Sequence, residues 1–336
     1  MFADTVLERG GHRYPNGASQ DAMLSTLRRE LRAARKFVFT KEAVAMAANV
    51  GLSRPSSIVA ALAWVRLKGD PMWIEFVNQD LREAMATMGS PNIRAPNTVV
   101  EVVRSGFLIS TTENGLSIEY VHADRTKEGK VLTDLAPVLM SFDLSDQELP
   151  RVSTALKPSV RGVTGKVRRH LELVSKDPKE AAAEASLRDR FEYIPHPDME
   201  PAREFIVGIK GEEGAALIEE NQANEAYRLW HILALPALIL LQCRNACNTT
   251  EVVPSAKLNK SRVAKHKEPL QTYETVTMHL SPAALKRQSE GGGSSMRSAT
   301  IVGAHFKVRA SGVFYWNEHF RSGYGEAQPK TVMVKA

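Results

Sequence analysis

A basic stretch near the end of the chain contains histidines, cationic side chains and aromatic rings, residue types that bind or cleave nucleic acids. It reads His305-Phe306-Lys307-Val308-Arg309, then Gly312, then Phe314-Tyr315-Trp316-Asn317-Glu318-His319-Phe320-Arg321. Because alternate residues of a β-strand share a face, the cationic side chains before Gly312 should point one way and the apolar ones into the core. The cationic set is His305, Lys307 and Arg309, and the apolar set is Phe306 and Val308.

The second half of this stretch should form a strand that pairs with the first across Ala310-Ser311-Gly312. One side of this strand would carry Phe314, Trp316 and Glu318, and the other Tyr315, Asn317 and His319. Cations can meet phosphates, and aromatic rings can stack on RNA bases. We therefore predict RNA contacts by Lys307, Arg309, Tyr315 and Trp316. The plainer alternative is an ordinary strand with polar positions on its solvent face.

The two histidines of this stretch are also compatible with a metal-independent ribonuclease. One imidazole would take the proton of the 2′-hydroxyl and the other would protonate the leaving oxygen, while a cation stabilises the charged phosphorane. The candidate catalytic residues are His305, His319 and Arg321. Zinc would need further ligands, and no nearby cysteine or carboxylate has the spacing of a known site. We therefore expect no metal and no other cofactor.

A second basic segment lies upstream and has five cationic residues among its eleven, from Lys257 to Lys267. Residues 257–336 contain 13 Lys and Arg against 5 Asp and Glu, which leaves 31 against 33 in residues 1–256. The positive excess thus lies in the last quarter of the chain, where it should favour encounters with RNA or DNA. A solvated basic loop is the alternative. The candidate phosphate contacts are Lys257, Lys260, Arg262, Lys265 and Lys267.

Three residues outside these segments are further candidates. Glu75 lies between large apolar neighbours in a predicted strand, where a carboxylate usually faces solvent. Arg244 and Asn245 follow an apolar helix, and Asn at such a position usually caps the helix. If the N-terminal and C-terminal sheets were continuous, Glu75 and Arg244 could join the site that the C-terminal strands build.

Composition and motifs exclude several classes of protein. The first residues lack the basic and apolar regions of a secretory signal, and the most apolar segment, residues 232–241, is too short to cross a bilayer. With two cysteines there is no disulfide framework, so we expect a reducing compartment, the cytoplasm, and no membrane contact. Walker A, GxGxxG, HExxH and GxSxG motifs are absent from the sequence.

Periodicity predicts an α+β fold. Residues 1–20 should be a flexible lead-in, followed by helices near residues 19–34, 41–49 and 56–68 and by a small antiparallel sheet over residues 72–142. Its strands should cover residues 71–77, 98–103, 106–111 and 116–121. A long helix over residues 214–246, kinked at Pro236, should precede a C-terminal antiparallel β-rich basic region, with 257–269 as a loop. The predicted parts are residues 1–142, a polar connection at 143–200, and 201–336.

The order of these motifs resembles a widespread group of proteins of tailed phages and prophages. The resemblance rests on the segment 71–76, on Arg244-Asn245, on the basic segment 257–262, and on the C-terminal series His305, Lys307, Arg309, Gly312, Trp316, His319 and Arg321. Over about the last forty residues, the group is distantly similar to the type V-A anti-CRISPR protein that promotes loss of the CRISPR nuclease mRNA during translation. The relatives' motif is Arg-Arg-Gly-His followed by an aromatic residue. This chain keeps the histidine and the aromatic residue as His305-Phe306 and lacks the two arginines.

This resemblance implies a phage-encoded regulatory, anti-defence-like protein. It would bind RNA or a ribosome–nascent chain complex through its C-terminal basic sheet, and no specific protein partner is implied. The alternatives are the metal-independent ribonuclease and a phage interaction or virion-associated protein without a role on nucleic acid.

Overall fold

The computed structural model describes residues 1–8, 20–87, 101–125, 129–145, 165–166, 177–278, 299–302, 304–316 and 319–322. The first part contains α1 (Phe2–Leu7), α2 (Gln20–Met23), α3 (Ser25–Ala33), β1 (Arg35–Phe39), α4 (Lys41–Ser53), α5 (Pro55–Ala61), β2 (Met72–Val77) and α6 (Asn78–Thr87). It continues with β3 (Glu101–Thr111), β4 (Gly115–Arg125), β5 (Val131–Leu135) and β6 (Val138–Asp143).

The rest of the described chain begins with β7 (Gly165–Lys166), α7 (Pro178–Asp189), β8 (Phe191–Pro195) and α8 (Glu200–Leu229). A π-helix (Trp230–Ala234) joins α8 to α9 (Leu235–Leu240). The remaining elements are β9 (Cys247–Val252), α10 (Ala256–Ala264), β10 (Tyr273–Met278), β11 (Ala299–Val302), β12 (His305–Arg309), β13 (Gly312–Trp316) and β14 (His319–Ser322). The predicted α+β class is confirmed.

One mixed sheet of ten strands forms the centre of the described structure. Its order is β7-β8-β6-β4-β3-β2-β1-β10-β9, and β5 also pairs with β4. Strand β1 is parallel to both β2 and β10. The sequence left open whether the N-terminal and C-terminal strands form one sheet. Strands β9 and β10 do join the N-terminal strands, whereas β12 and β13 pair apart from them. Strands from all three predicted parts of the chain contribute to this sheet.

Side-chain alternation along β2 divides the core into two layers. Ile74 and Phe76 face the larger layer, which contains α4, α8, the π-helix and α9. Trp73 faces the smaller layer, where it packs with Phe2 of α1 and Leu27 of α3. Residues 1–8 were expected to be flexible, but they form α1, because its apolar side chains have this second face of the sheet to pack against.

Two other predictions about the elements are wrong. Of the strands predicted at residues 98–103 and 106–111, the described part is one strand, β3 (Glu101–Thr111), with a register irregularity between Val102 and Arg104, and residues 98–100 lie outside the described residues. Gly106 does not end it: a Cβ there would lie 2.1 Å from a ring carbon of Trp73, so glycine permits that close packing. The basic loop predicted at 257–269 contains α10, which Ser255 caps by accepting a hydrogen bond from the Leu258 amide at 3.2 Å.

The apolar helical region is longer than predicted and less regular. It begins at Glu200, bends at Gly211 and changes to π geometry at Trp230. Pro236 lies in the first turn of α9, where a missing amide hydrogen costs little. Within the described residues, no helix is both long enough and apolar enough to cross a membrane.

Candidate nucleic-acid interface

Strands β12 and β13 form a two-stranded antiparallel unit, here called the basic hairpin. His305 pairs with Trp316, Lys307 with Phe314 and Arg309 with Gly312. These directly opposed positions share a face of the hairpin. The predicted cationic face is therefore adjacent to the face that carries Phe314 and Trp316.

The outward face of the basic hairpin consists of cations in contact with aromatic rings. Lys307 Nζ lies 4.2 Å from the centroid of the Trp316 ring, and the His305 ring centroid lies 6.3 Å from it. The Arg309 guanidinium carbon is 5.8 Å from the ring of Phe314 and 6.0 Å from that of Trp316. Both rings are partly exposed, so a ligand can reach the cations and the ring edges together.

The inward face fixes the hairpin on the larger core layer. Phe306 and Val313 are buried there with Tyr315, which is 6% exposed, and β12 packs against α5. Tyr315 was predicted to contact RNA. Its ring is in the core, because it alternates with Phe314 and Trp316 along β13, and it is not available to a base. Val308 was expected in the core, but it is exposed near the hairpin turn.

Arg244 and Asn245 connect the basic hairpin to the end of the apolar helix region. The Asn245 amide donates a hydrogen bond to the Tyr315 carbonyl at 2.8 Å, and the Tyr315 amide donates one to Asn245 Oδ1 at 3.0 Å. The Arg244 amide donates to the Val313 carbonyl at 3.4 Å. Its Nε lies 3.5 Å from where a Cβ of Gly312 would be. Arg244 thus adds an exposed cation beside the hairpin turn, and Asn245 positions β13 instead of capping a helix.

His319 and Arg321 belong to a separate ladder formed by β11 and β14. His319 pairs with Val302, and Arg321 pairs with Thr300. The backbone register therefore does not place His319 opposite His305. Asn317 and Glu318 lie outside the described residues.

The second predicted set of cations lies on α10 and in the three residues that follow it. The side chains of Lys257, Lys260, Lys265 and Lys267 are exposed and make no ion pair with any residue that the structure describes. Arg262 differs: it donates to Glu8 Oε1 at 2.6 Å and to the Glu268 carbonyl at 2.8 Å. Arg262 was predicted as a phosphate contact, but it anchors α10 to the end of α1 and to the following loop. The four lysines remain candidates.

Glu75 is remote from the basic hairpin, on the opposite face of the sheet. Its carboxylate accepts hydrogen bonds at 2.8 Å from the amides of Phe2 and Ala3 and from the indole of Trp73. Burial raises its pKa, and the three donors partly offset that effect. The prediction that it faces solvent is wrong, since α1 covers it. The basic hairpin is a two-stranded sheet apart from the ten-stranded one, so Glu75 does not join the hairpin site, and it holds the N-terminus of α1 instead.

A polar group inside the larger layer was missed by the sequence analysis. Tyr120 bonds Ser105 at 3.1 Å and stacks on His122 at 5.4 Å, and His122 Nε2 lies 3.4 Å from Asp124. The signal in the sequence is the spacing of Tyr120, His122 and Asp124 at alternate positions of β4. No group of three or more possible metal ligands exists among the described residues.

Comparisons of the chain with family models, with curated proteins and with solved structures gave no match. The basic hairpin and α10 are therefore the features of the molecule from which a function can be inferred.

Proposed function

We propose that the protein binds single-stranded RNA through the outward face of the basic hairpin, with the exposed lysines of α10 as a second contact. The observation that carries the proposal is the partly exposed Trp316, which has Lys307, His305 and Arg309 around its ring. Such a surface offers phosphates and bases complementary partners at one place.

Two physical features favour single-stranded RNA over a duplex. Stacking on Trp316 or Phe314 requires a base with a free face, which a loop or single strand provides. The cations extend along one narrow ribbon, from His305 to Arg309 and then to Arg244 beside the turn. A flexible phosphate backbone can follow this ribbon, and each contact made with a phosphate releases counterions.

The resemblance to phage proteins extends this proposal to a biological role. A regulatory protein of the anti-defence type would use the hairpin to engage a message while it is translated, either as free RNA or as part of a ribosome–nascent chain complex. The positive excess in the last quarter of the chain supports a polyanionic partner of this kind.

The proposal is tested by titrating the protein into a fluorescently labelled single-stranded RNA of about 15 nucleotides, within the range of single-strand site sizes. We expect salt-sensitive binding, and Trp316→Ala should weaken it by roughly five- to hundred-fold, the value of one stacked base. Lys307→Ala and Arg309→Ala should each reduce the slope of log affinity against log salt by about one.

Lys130→Ala removes an exposed cation of another region and serves as the matched control, with affinity unchanged. The absence of salt-dependent binding by the wild-type protein would overturn the proposal and favour an interaction or virion-associated role. The same samples, kept in EDTA and run on a denaturing gel, test the ribonuclease alternative. Cleavage that His305→Ala abolishes would support it.

A further inference from the structure

The first half of α8 consists of two helical segments joined by a bend, and it is here called the acidic arm (residues 200–220). The bend is at Gly211, whose φ of 74° is a conformation that glycine adopts readily. Arg203 links the two sides of the bend, since it donates to Glu212 at 2.7 Å and to Glu219 at 2.8 Å. These two hydrogen bonds hold the helical segments before and after Gly211 together.

The acidic arm combines negative charge with exposed apolar side chains. It contains six Glu against one Arg and one Lys, a net charge of −4. Ile209 is 64% exposed and Leu217 is 58% exposed. Single exposed apolar residues are common on protein surfaces. Two large ones on one projecting, charged element fit a contact surface better.

Helix α10 and the residues on either side of it are positively charged and, like the acidic arm, expose apolar side chains. Residues 253–267 contain five Lys and Arg and no Asp or Glu, a net charge of +5. Leu258 is 47% exposed and Val263 is 57% exposed. No residue of this nine-residue helix is buried, although helices of this length depend on packing for most of their stability.

Among the described residues, α10 is held to the rest of the chain by several hydrogen bonds. Asn259 exchanges two hydrogen bonds with the backbone of Leu270, at 3.0 and 2.8 Å. Arg262 supplies the bond to Glu8 already described. About half of the surface of Leu258 and Val263 is exposed, and this exposed apolar surface is available to a second molecule.

We propose that the acidic arm of one molecule docks on α10 of a second copy. The charges of −4 and +5 attract, and Leu217 of one copy packs against Leu258 of the other. The two surfaces are different, so the contact is heterologous and can continue from copy to copy as a ring or a chain. Few anchoring side chains are involved, so the association is weak and reversible, with a Kd on the order of micromolar to tens of micromolar.

Sedimentation velocity over a range of protein concentrations tests this inference. The wild-type protein should form dimers and larger species at low salt, and these should dissociate in about 0.5 M salt, where screening is strong. Leu217→Gln and Leu258→Gln should each weaken association about tenfold or more. Leu132→Gln changes an exposed leucine of β5, far along the sequence from both surfaces, and should have no effect.

Mixing the two variants distinguishes a head-to-tail contact from any other. Each single variant keeps one working surface, so a mixture of Leu217→Gln and Leu258→Gln should form a one-to-one dimer and nothing larger. A monomeric wild-type protein, an undiminished association in either variant, or a failure of the mixture to dimerise would each overturn the inference. None of these results depends on RNA, and Trp316→Ala should associate as the wild type does.

Discussion

Asn245 holds the basic hairpin in place through two hydrogen bonds to the backbone of Tyr315. One carboxamide satisfies both the amide and the carbonyl of Tyr315, as a neighbouring strand would. The basic hairpin has its own ladder between β12 and β13, but that ladder does not fix where the hairpin lies on the core. Asn245 and the inward rings do, so the position of the cations depends on a residue that need not touch RNA.

We expect Asn245→Ala to loosen the basic hairpin and to weaken RNA binding. The change leaves two backbone groups of Tyr315 without partners, at a cost of about 1–3 kcal/mol in the free energy of unfolding. Urea denaturation measures that loss, and hydrogen exchange should show faster exchange over residues 305–316. Asn248→Ala, at an exposed position of β9, is the control. Unchanged exchange in the hairpin would contradict the positioning role.

His231 should make the protein sensitive to acid. Burial in the π-helix lowers its pKa to about 4, and a contact with the Gly51 backbone only partly offsets that effect. The folded-state pKa is below the unfolded value of about 6.5, so its contribution to stability is present above pH 6.5 and is lost as the pH falls toward 4. The loss is at most about 3 kcal/mol.

Replacing His231 with leucine removes this titration. The free energy of unfolding of His231→Leu should fall less than that of the wild type between pH 7 and pH 4.5, as urea denaturation can measure. His122 acts in the opposite direction: burial opposes its protonation, but Asp124, Asp134 and Glu225 outweigh burial and raise its pKa. Its contribution is lost as the pH rises through that raised pKa. Equal acid sensitivity in the variant and the wild type would contradict the role of His231.

At the scale of elements, local patterns in the sequence were sufficient where they were strong. The alternation in residues 305–309 predicted that His305, Lys307 and Arg309 share a face, although it misplaced Val308 and did not show that Tyr315 is buried. The apolar run after Gly214 predicted a buried helical region. Both patterns are local, and each is determined by burial of one face.

The elements that were missed depend on contacts distant in the sequence. Strand β1 is five residues long and lies between two helices, and its pairing with β2 and β10 is what makes it a strand. Helix α1 is stabilised by contacts with the sheet: Glu75 accepts a hydrogen bond from the Phe2 amide, and Trp73 packs against the Phe2 ring. Ser255 is a recognisable N-cap residue for α10, but the many charged residues of the segment led to the prediction of a loop. Pairings of this kind cannot be derived from a single segment.

The molecule as a whole is connected by a series of polar contacts that runs from Glu75 to α10. Glu75 holds the first amides of α1, and Asp4 of α1 accepts from the Gln271 amide at 2.9 Å. Glu8, just beyond α1, accepts from Arg262 of α10. A buried carboxylate on one face of the sheet therefore supports, through α1, the peripheral helix that carries Lys257 and Lys260.

We expect Glu75→Gln to destabilise the protein by about 2–4 kcal/mol, because an amide cannot accept from three donors as a carboxylate does. Hydrogen exchange should quicken in α1 and in α10 together, while the basic hairpin, held by Asn245 on the other face, stays protected. RNA affinity should fall only by the share that α10 contributes, which Lys257→Ala and Lys260→Ala measure independently. Glu251→Gln, at an exposed position of β9, is the control. Faster exchange in α1 with α10 unaffected would show that the two helices are held separately, and the coupling through Asp4 and Glu8 would be wrong.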